Sequence, residues 1–406
     1  MSGKAWPPDW LRVRFGDVVR NVNENVRDPL DNGLERFVGL EHIDPESLHI
    51  KRWGLIEEGT TFTRKFVKGQ VLFGKRRAYQ RKVAVAEFDG ICSGDILVFE
   101  PANNDLLPEL LPFIVQSDGF FEHALGTSAG SLSPRTKWKD LARYEFALPP
   151  NDEQRRIAGI LWAADKAIVY FEDSINNAQI LKRLTLTELT TKGIKSNDQR
   201  STELGMIPAH WEVATVGELL TVCQYGLSIP GKDSGRYPIF RMMNIEDGVV
   251  VENGMQYVNL SDKDFATHRL ENGDILFNRT NSADLVGKVG IYHLQGNHVF
   301  ASYLVRLRVR KQMVSPEYLN YYLNSEAGQR RILAYATPGV SQTNINASNL
   351  RKVLIPLPPL EEQAEIGSVL RQIDSSKCLL QKQLDQLREI KKQLIARLLH
   401  SYVQDR

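Results

Sequence analysis

The side chains best suited to bind another molecule lie in one stretch of positive charge. Residues 64–82 read RKFVKGQVLFGKRRAYQRK and hold eight lysines and arginines without one acidic residue. Lysine and arginine neutralise phosphates, and arginine and glutamine can hydrogen-bond to the edges of guanine and adenine. The pattern therefore predicts a DNA-contacting loop, against the alternative of an ordinary solvated basic loop. Its candidate side chains are Lys75, Arg76, Arg77, Tyr79, Gln80, Arg81 and Lys82.

Further polar clusters could serve the same purpose. Arg135 and Lys137 belong to a second basic cluster, whereas the run GVSQTNIN at 339–346 is rich in amide side chains. Amides can read adenine, but the same composition is typical of a plain Asx turn. The candidates in the second half of the chain are Arg241, Arg279, Asn281, Gln342 and Asn344.

No catalytic motif is recognisable in the sequence. The patterns GxxxxGK[ST], HExxH and GxSxG do not occur, nor does a glycine-rich adenosylmethionine loop or an NPPY-like motif. The three cysteines are far apart and the histidines lack metal-like spacing. Asp385, Glu389 and Lys391 resemble nuclease residues, but they lie on a helical pattern where we expect a solvated face. We therefore predict no catalytic residue and no metal site.

These candidates must be positioned by a structure that occurs twice, because the chain is a tandem repeat. Residues 141–161 read LARYEFALPPNDEQRRIAGIL, and residues 350–370 read LRKVLIPLPPLEEQAEIGSVL. The two segments align without a gap at an offset of 209 and share LPPxxEQ. Weaker similarity continues upstream, for example between 69–73 and 273–277. The sequence therefore predicts two copies of one unit, each a head of about 150 residues followed by a helix.

Each head is predicted to be mixed α/β (α+β). Short β-branched apolar runs alternate with turns rich in Gly, Asn and Asp, which is typical of strands. Proline at the first helical position favours a short helix at 108–117 and another at 316–325. The predicted strands are 70–73, 82–86 and 95–99 in the first head, and 274–277, 288–293 and 303–309 in the second.

After each proline pair, the apolar residues follow the a/d spacing of a coiled coil. Each helix is predicted to span about 40 residues and about 60 Å, which exceeds the size of its head. Its apolar stripe must therefore meet another helix, and we favour antiparallel pairing within the chain over pairing between chains. The stripe comprises Ile157, Leu161, Ile168, Phe171 and Ile175, and Ile366, Leu370, Ile373, Leu380, Leu384, Leu387 and Leu394.

The predicted architecture is thus two tandem heads separated by two long antiparallel coiled-coil helices, with an internal pseudo-twofold repeat. The polar stretch 191–206, with two glycines, indicates a linker. The predicted boundaries are 1–147 for head 1, 148–192 for the first helix, 193–207 for the linker, 208–356 for head 2 and 357–403 for the second helix.

Composition excludes some classes of protein. The chain has 406 residues, 42% of them hydrophobic, and a net charge of +2, so it is not a disordered chain. No run of about 18 apolar residues predicts a membrane span, and no signal-peptide core is evident, so we expect a cytoplasmic protein without membrane contact. The near-neutral net charge does not itself suggest a DNA-binding protein, but it averages over the basic stretch at 64–82.

The repeat resembles one known family, the specificity subunits of type I restriction–modification systems. The resemblance is carried by LPPNDEQRRIAGIL (148–161), LPPLEEQAEIGSVL (357–370) and the helices that follow them. The segments FVGLEHID (37–44), FDGICSGDILV (88–98) and GDILFNR (273–279) resemble the target recognition domains of that family. The resemblance implies that each head reads one half of a bipartite, asymmetric site in double-stranded DNA. It also implies that the helical stripes set the spacing and dock two methyltransferase subunits.

The resemblance assigns the chemistry to partner subunits. Methyltransferase subunits would use S-adenosylmethionine to methylate adenine, and restriction subunits with motor and nuclease activity would use ATP and Mg²⁺. None of these cofactors would bind this chain. Two alternatives are a coiled-coil adaptor that binds only protein, and an enzyme that acts on DNA by itself.

Overall fold

The chain forms two compact units that contain the same elements. The computed structural model describes residues 9–194, 198–282, 286–338 and 343–399. Unit 1 comprises residues 1–172 and 382–406, and unit 2 comprises residues 173–381. Two long helices, α5 (Asn151–Thr191) and α10 (Leu360–Leu398), each contribute one segment to either unit.

Head 1 is built on two four-stranded sheets. One has the order β2-β9-β6-β7 and the other β4-β3-β8-β5, while β1 pairs with β10. The strands are β1 (Leu11–Arg14), β2 (Val19–Val22), β3 (Arg36–Val38), β4 (Gly54–Leu55), β5 (Arg64–Phe66), β6 (Val71–Gly74), β7 (Val83–Val85), β8 (Gly90–Cys92), β9 (Ile96–Pro101) and β10 (Glu145–Leu148). The short helices are α1 (Phe15–Val18), α2 (Leu111–Gln116), α3 (Asp118–Gly126) and α4 (Trp138–Leu141).

Head 2 repeats this plan with additional strands. Its largest sheet has the order β14-β23-β19-β21-β17-β16, β18-β15-β22 and β20-β25-β24 form smaller sheets, and β13 pairs with β26. The strands are β11 (Gln199–Thr202), β12 (Gly205–Pro208), β13 (Glu212–Thr215), β14 (Leu220–Tyr225), β15 (Tyr237–Phe240), β16 (Ile245–Glu246), β17 (Val249–Val250), β18 (Gln256–Val258), β19 (Ile275–Asn278), β20 (Thr280–Asn281), β21 (Val289–Ile291), β22 (Val299–Phe300), β23 (Leu304–Val309), β24 (Thr337–Pro338), β25 (Thr343–Asn344) and β26 (Leu354–Leu357). The short helices are α6 (Asp262–His268), α7 (Pro316–Asn324), α8 (Glu326–Leu333) and α9 (Ala347–Leu350).

The internal repeat is confirmed in the strand pairing. The antiparallel order β2-β9-β6-β7 in head 1 matches β14-β23-β19-β21 in head 2, and the parallel pair β3-β8 matches β15-β22. The first strand of each head pairs with its last strand, Leu11 opposite Leu148 in one and Glu212 opposite Leu357 in the other. Each predicted strand and short helix overlaps an observed one.

Part of the segment 193–207, whose polarity predicts a linker, forms regular secondary structure. Its described residues include most of an antiparallel hairpin between β11 and β12, turned at Gly205 with a positive φ of 92°. Ile207 is buried, but most of the hairpin is exposed, so its strands lack the alternating apolar pattern that would identify them.

A glutamine in each LPPxxEQ motif attaches the long helix to its head. Gln154 is buried, accepts a hydrogen bond from the Leu107 backbone N–H and donates to the carbonyl oxygens of Asp105 and Pro149. Gln363 makes the same three bonds, to Ser315, Met313 and Pro358. The shared motif therefore encodes the same junction in both units.

The predicted apolar stripe lies on the covered side of both long helices. In unit 1, Ile157 and Leu161 join Ile395 and Leu399 in the head 1 core. In unit 2, Leu186 shares a core with Ile366 and Leu370. Of the remaining stripe residues, Ile175 and Leu384 are buried, and Ile168, Phe171, Ile373, Leu380, Leu387 and Leu394 are half-buried.

Within unit 1, a buried ion pair joins the two long helices. The Lys391 Nζ lies 2.6 Å from Asp165 Oδ1, and both residues are almost inaccessible to solvent. Glu172 accepts from Arg388 at 2.6 Å, one to two turns further along each helix in opposite directions, so the segments are antiparallel. The expectation that Lys391 occupies a solvated face is wrong, because this lysine lies in the apolar stripe and pairs there with the carboxylate of Asp165.

Within unit 2, the repeat-equivalent residues form the same pair with the helices exchanged. Lys182 of α5 lies 2.6 Å from Asp374 of α10, and the Ile194 backbone N–H donates to Glu362 at 2.8 Å. These contacts again make the two helical segments antiparallel, as predicted. Knobs-into-holes packing stays a prediction.

In each unit, the head and a long helix are joined by a contact between a basic and an acidic side chain. The acidic side chain lies on the helix in unit 1 and in the head in unit 2. In unit 1, His49 bridges Glu87 at 2.7 Å and Asp165 at 2.8 Å. In unit 2, the acid belongs to the head: Asp247 lies 2.6 Å from Lys377 on α10. The hydrogen bond to Asp165 raises the pKa of His49 against the opposing effect of burial.

Breaking the buried pair of Asp165 and Lys391 should lower the free energy of unfolding far more than breaking the partly exposed pair in unit 2. We expect Lys391→Met to lower the free energy of unfolding by about 3 kcal/mol, because Asp165 loses its ammonium partner in a buried site. Adding Asp165→Leu should recover about half of the loss, since no unpaired charge then remains. Urea denaturation measures both changes.

The matched control is Lys182→Met. Its ion pair is partly exposed, so the expected loss is less than about 1 kcal/mol. Equal losses for Lys391→Met and Lys182→Met would contradict the argument from burial.

The His49 contact should make stability depend on pH. A raised pKa in the folded state stabilises the fold below the ordinary histidine pKa, and this contribution is lost as pH rises through the raised value. The wild type should therefore exceed His49→Gln in unfolding free energy most at about pH 6, and least at about pH 8.5. In an Asp165→Asn background, the same substitution should lose most of this pH trend. A difference that stays constant over this range would refute the contact's role.

Candidate nucleic-acid interface

In head 1, the structure brings together the two basic clusters that the sequence singled out. The loop 75–82 joins β6 to β7, and the loop 128–137 follows α3. The Thr136 backbone N–H donates to Lys75 O at 3.0 Å, and the Arg77 N–H donates to Pro134 O at 2.8 Å. The Ser133 hydroxyl accepts from Arg76 at 3.1 Å and from Arg77 at 3.4 Å. The two loops therefore form one surface.

The loop 75–82 has an unusual backbone conformation. A short 3₁₀ turn, Ala78–Gln80, lies between Arg77 with φ 54° and Arg81 with φ 51°. Both arginines occupy the left-handed region, which costs energy for a residue with a Cβ. Such strain persists where surrounding contacts over-determine it, and here the bonds to loop 128–137 and to head 1 do so.

Asp95, just before β9, supplies the negative charge that the basic stretch lacks. Its carboxylate accepts from Arg135 Nε at 2.8 Å and Nη2 at 3.4 Å, and from Arg76 Nη1 at 3.4 Å. The hydrogen bond from Arg135 holds the pKa of Asp95 below its usual value. Lys75 is half-buried beside them, and burial lowers its pKa. No pattern of basic residues indicates Asp95, because it lies outside both loops.

Two of the predicted DNA-contacting cations have partners within head 1. Arg81 forms ion pairs with Glu46 at 3.1 Å and Asp118 at 2.8 Å, and its guanidinium lies 4.5 Å from the ring centre of Phe121. The Lys82 Nζ donates to the Leu40 carbonyl at 2.6 Å. Both cations are half-buried, and their role in DNA contact stays a prediction.

Other side chains of the two loops are open to solvent. Arg77 and Lys137 are exposed, Tyr79 is 55% exposed, and Gln80 is half-buried. Leu132, which the sequence analysis did not single out, is 90% exposed at the tip of loop 128–137. The surface thus offers cations, an aromatic ring and an aliphatic side chain together.

In head 2, three of the predicted residues also meet. Arg279 follows β19 at the place where Lys75 follows β6, and its guanidinium lies 3.5 Å from Asn344 Oδ1 and 4.9 Å from the ring centre of Tyr225. Asn281 in β20 pairs with β25, which carries Asn344. This surface is polar and contains fewer cations than the one in head 1.

Arg241, a further candidate of head 2, has other hydrogen-bond partners. It donates to the Gly254 carbonyl at 2.7 Å, and its backbone N–H donates to Asn244 at 2.8 Å. Gln342 lies outside the described residues.

Among the described residues, no group of three or more His, Cys, Asp or Glu side chains could hold a metal ion. Cys92, Cys223 and Cys378 are unpaired, and burial raises the pKa of Cys92 to about 12. In the part of the chain that the structure describes, no helix is long and apolar enough to cross a membrane.

One family of sequences matches most of the chain. The model of the type I restriction modification DNA specificity domain matches residues 47–184 and again residues 208–390. The two matches fall on the two copies of the repeat.

Curated relatives carry related names. The putative type I restriction enzyme MjaX specificity subunit of Methanocaldococcus jannaschii is 37% identical over 210 residues, which cover 50% of this chain and 49% of that protein. The EcoKI specificity subunit of Escherichia coli is 28% identical over 270 residues, 64% and 56% of the two chains. The chain thus spans about half the length of these relatives. The M. jannaschii MjaVIII specificity subunit matches at 23% identity over 98% of this chain and 94% of that protein.

Solved structures share the fold. A chain from a study of complex assembly and conformational transition of the type I R-M system superposes with a TM-score of 0.60 and 20% identity, over 98% of this chain and 99% of that one. The S subunit of a type I restriction–modification system from M. genitalium gives 0.57 and 14%, over 97% of both chains.

The contacts of loop 75–82 predict that replacing Arg81 lowers the free energy of unfolding more than replacing Arg77. Arg81→Ala should lower the free energy of unfolding by about 1.5 kcal/mol, because it removes the hydrogen bond to the Gln116 carbonyl and the contact with the Phe121 ring, together with two partly exposed ion pairs. Arg77→Ala should change it by no more than about 0.5 kcal/mol, since Arg77 is exposed. Thermal or urea denaturation of the two variants provides the test. Losses of equal size would mean that Arg77 is also a structural residue.

Proposed function

Because this chain belongs to the family of type I restriction–modification DNA specificity proteins, we propose that it recognises a bipartite, asymmetric site in double-stranded DNA. Target recognition domain 1 is head 1 and reads one half-site; target recognition domain 2 is head 2 and reads the other. The chain supplies specificity and no catalytic residue.

The observation that carries this proposal is that both heads place a polar surface at the same point of the repeat. The surface begins after β6 in head 1 and after β19 in head 2, which are equivalent strands. Its side chains differ, with Lys75, Arg76 and Arg77 in one head and Arg279 with Asn344 in the other. A common scaffold with different base-reading side chains suits two unlike half-sites.

The long helices support docking of two copies of one partner. Exposed apolar side chains recur at repeat-equivalent positions: Ile160 with Val369, Tyr170 with Leu379, and Leu181 with Ile390. Each unit therefore offers the same apolar set, in which two side chains come from one helix and the third from the other. We assign these exposed sets to the docking of two methyltransferase subunits, whereas the covered stripe joins the helices to each other and to the heads.

The partners supply the chemistry in this proposal. Methyltransferase subunits bind S-adenosylmethionine and methylate adenine, and restriction subunits use ATP and Mg²⁺ to move along and cut DNA. We place these reactions in the cytoplasm. The alternative of an adaptor that binds only protein does not account for the loop surfaces of the heads. The alternative of an enzyme that acts alone would require a catalytic group in this chain.

Mapping methylated adenines in DNA from cells that express the complete system tests the proposal. The wild type should methylate one bipartite sequence. Arg76→Ala with Arg77→Ala should relax the choice of bases in one half-site only, by about tenfold or more, because each lost base contact removes roughly 1–3 kcal/mol of discrimination. Arg279→Ala should relax the other half-site.

Two further variants complete the experiment. Tyr170→Ser with Leu379→Ser should reduce methylation at every site without changing either half-site, because it weakens the docking surfaces and not the heads. Arg27→Ala replaces an exposed arginine outside both loops of head 1 and should change nothing. A loop variant that alters neither half-site, or methylation without any sequence preference in the wild type, would overturn the proposal.

A further inference from the structure

We propose that Asp95 is a positioning residue that orients Arg76 and Arg135 to read bases in the head 1 half-site. The inference rests on the proposed function and adds a specific role for an acidic residue within a basic surface. Asp95 itself need not touch DNA.

Asp95 immediately precedes the central strand β9, and its carboxylate holds the guanidinium groups of Arg76 and Arg135. It accepts from Arg135 through Nε and Nη2, and from Arg76 through Nη1. Its backbone carbonyl also accepts from the Lys75 N–H at 3.0 Å. The carboxylate therefore connects loop 75–82, loop 128–137 and strand β9.

The geometry leaves base-reading donors available. A guanidinium has five N–H groups in a planar fork. Arg135 uses its Nε–Nη2 edge for Asp95, so the terminal edge, with one N–H of Nη1 and one of Nη2, remains as a second pair of donors. That edge can form the bidentate contact to guanine O6 and N7. Arg135 is also about half exposed, with 49% of its side chain open to solvent.

Ser133 supports the same arrangement from the second loop. Its hydroxyl accepts from Nη2 of Arg76 and Nη2 of Arg77. Arg76 is thereby held at both terminal nitrogens, one by Asp95 and one by Ser133. An arginine side chain immobilised before binding loses less conformational entropy when it meets a base.

Charge repulsion alone predicts that Asp95 weakens DNA binding. A carboxylate near DNA repels phosphates, so removing it should strengthen binding that does not depend on sequence. If Asp95 orients the arginines, removing it should at the same time weaken discrimination between bases. These opposite signs separate a positioning role from a general loss of structure, which lowers both.

Head 2 provides an internal reference. Among the described residues, the guanidinium of Arg279 is held there by the amide oxygen of Asn344 and the ring of Tyr225, and no carboxylate is one of its partners. A substitution of Asp95 should therefore leave the head 2 half-site unaffected.

The experiment uses the complex of this chain with its methyltransferase subunits and a duplex that carries the methylated site. Binding to the cognate duplex, to duplexes mismatched in one half-site, and to unrelated DNA is measured at several salt concentrations. For Asp95→Asn, we expect about tenfold less discrimination at the head 1 half-site, unchanged discrimination at the head 2 half-site, and no loss of affinity for unrelated DNA. Ser133→Ala, which keeps the carboxylate, should reduce discrimination at the same half-site by a smaller factor.

The control is Asp44→Asn, which removes a carboxylate paired with Arg52 elsewhere in head 1 and should leave discrimination unchanged. Thermal unfolding of each complex checks folding, and Ser133→Ala provides the decisive comparison if Asp95→Asn is unfolded. Unchanged discrimination in both variants, or equal losses at both half-sites, would overturn the role of Asp95. A wild-type complex that shows no discrimination at all would overturn the proposed function itself.

Discussion

The architecture of unit 1 depends on a buried carboxylate that three elements share. Asp165 on α5 binds Lys391 on α10 and His49 of head 1 at the same time, so the long helix, its antiparallel partner and the head are joined at one point. A charge buried without partners would be costly, and this constrains which helical register and which head orientation are compatible with the fold. Unit 2 places a more exposed version of the pair between Lys182 and Asp374, and uses Asp247 and Lys377 for the head.

On this framework, the two heads differ where binding is proposed and agree where the fold is held. Gln154 and Gln363 make the same three hydrogen bonds, and the strands pair in the same order. The loops that follow the equivalent strands β6 and β19 differ in charge, length and partners. Because the junctions are held by hydrogen bonds that do not involve these loops, a loop can change its side chains without altering the attachment of the head to its helix. This separation of scaffold from surface suits a protein whose proposed role is to read two different sequences.

Several expectations held because the pattern that carries them is local. The a/d spacing, the prolines before each helix and the LPPxxEQ repeat all lie within short windows, and the structure shows long helices and repeated heads there. Other contacts could not be predicted, because the residues that make them lie far apart in sequence. The ion pairs of Arg81 with Glu46 and Asp118 are one example, and DNA contact by Arg81 stays a prediction. The solvated face predicted for Lys391 is wrong, because this lysine is buried against Asp165. The hairpin formed by β11 and β12 was invisible because its strands are mostly exposed.

The amino-acid sequence by itself determined the tandem repeat, the two long helices, the mixed α/β heads and the family, since periodicity and motif spacing are properties of neighbouring residues. The tertiary structure alone decided which cations of the basic stretch face solvent and which serve the core. It also decided that Asp95 supplies the missing negative charge beside Arg76 and Arg135. These outcomes depend on which distant carboxylate or carbonyl comes within hydrogen-bonding distance, and the backbone path determines that distance rather than the composition of any segment.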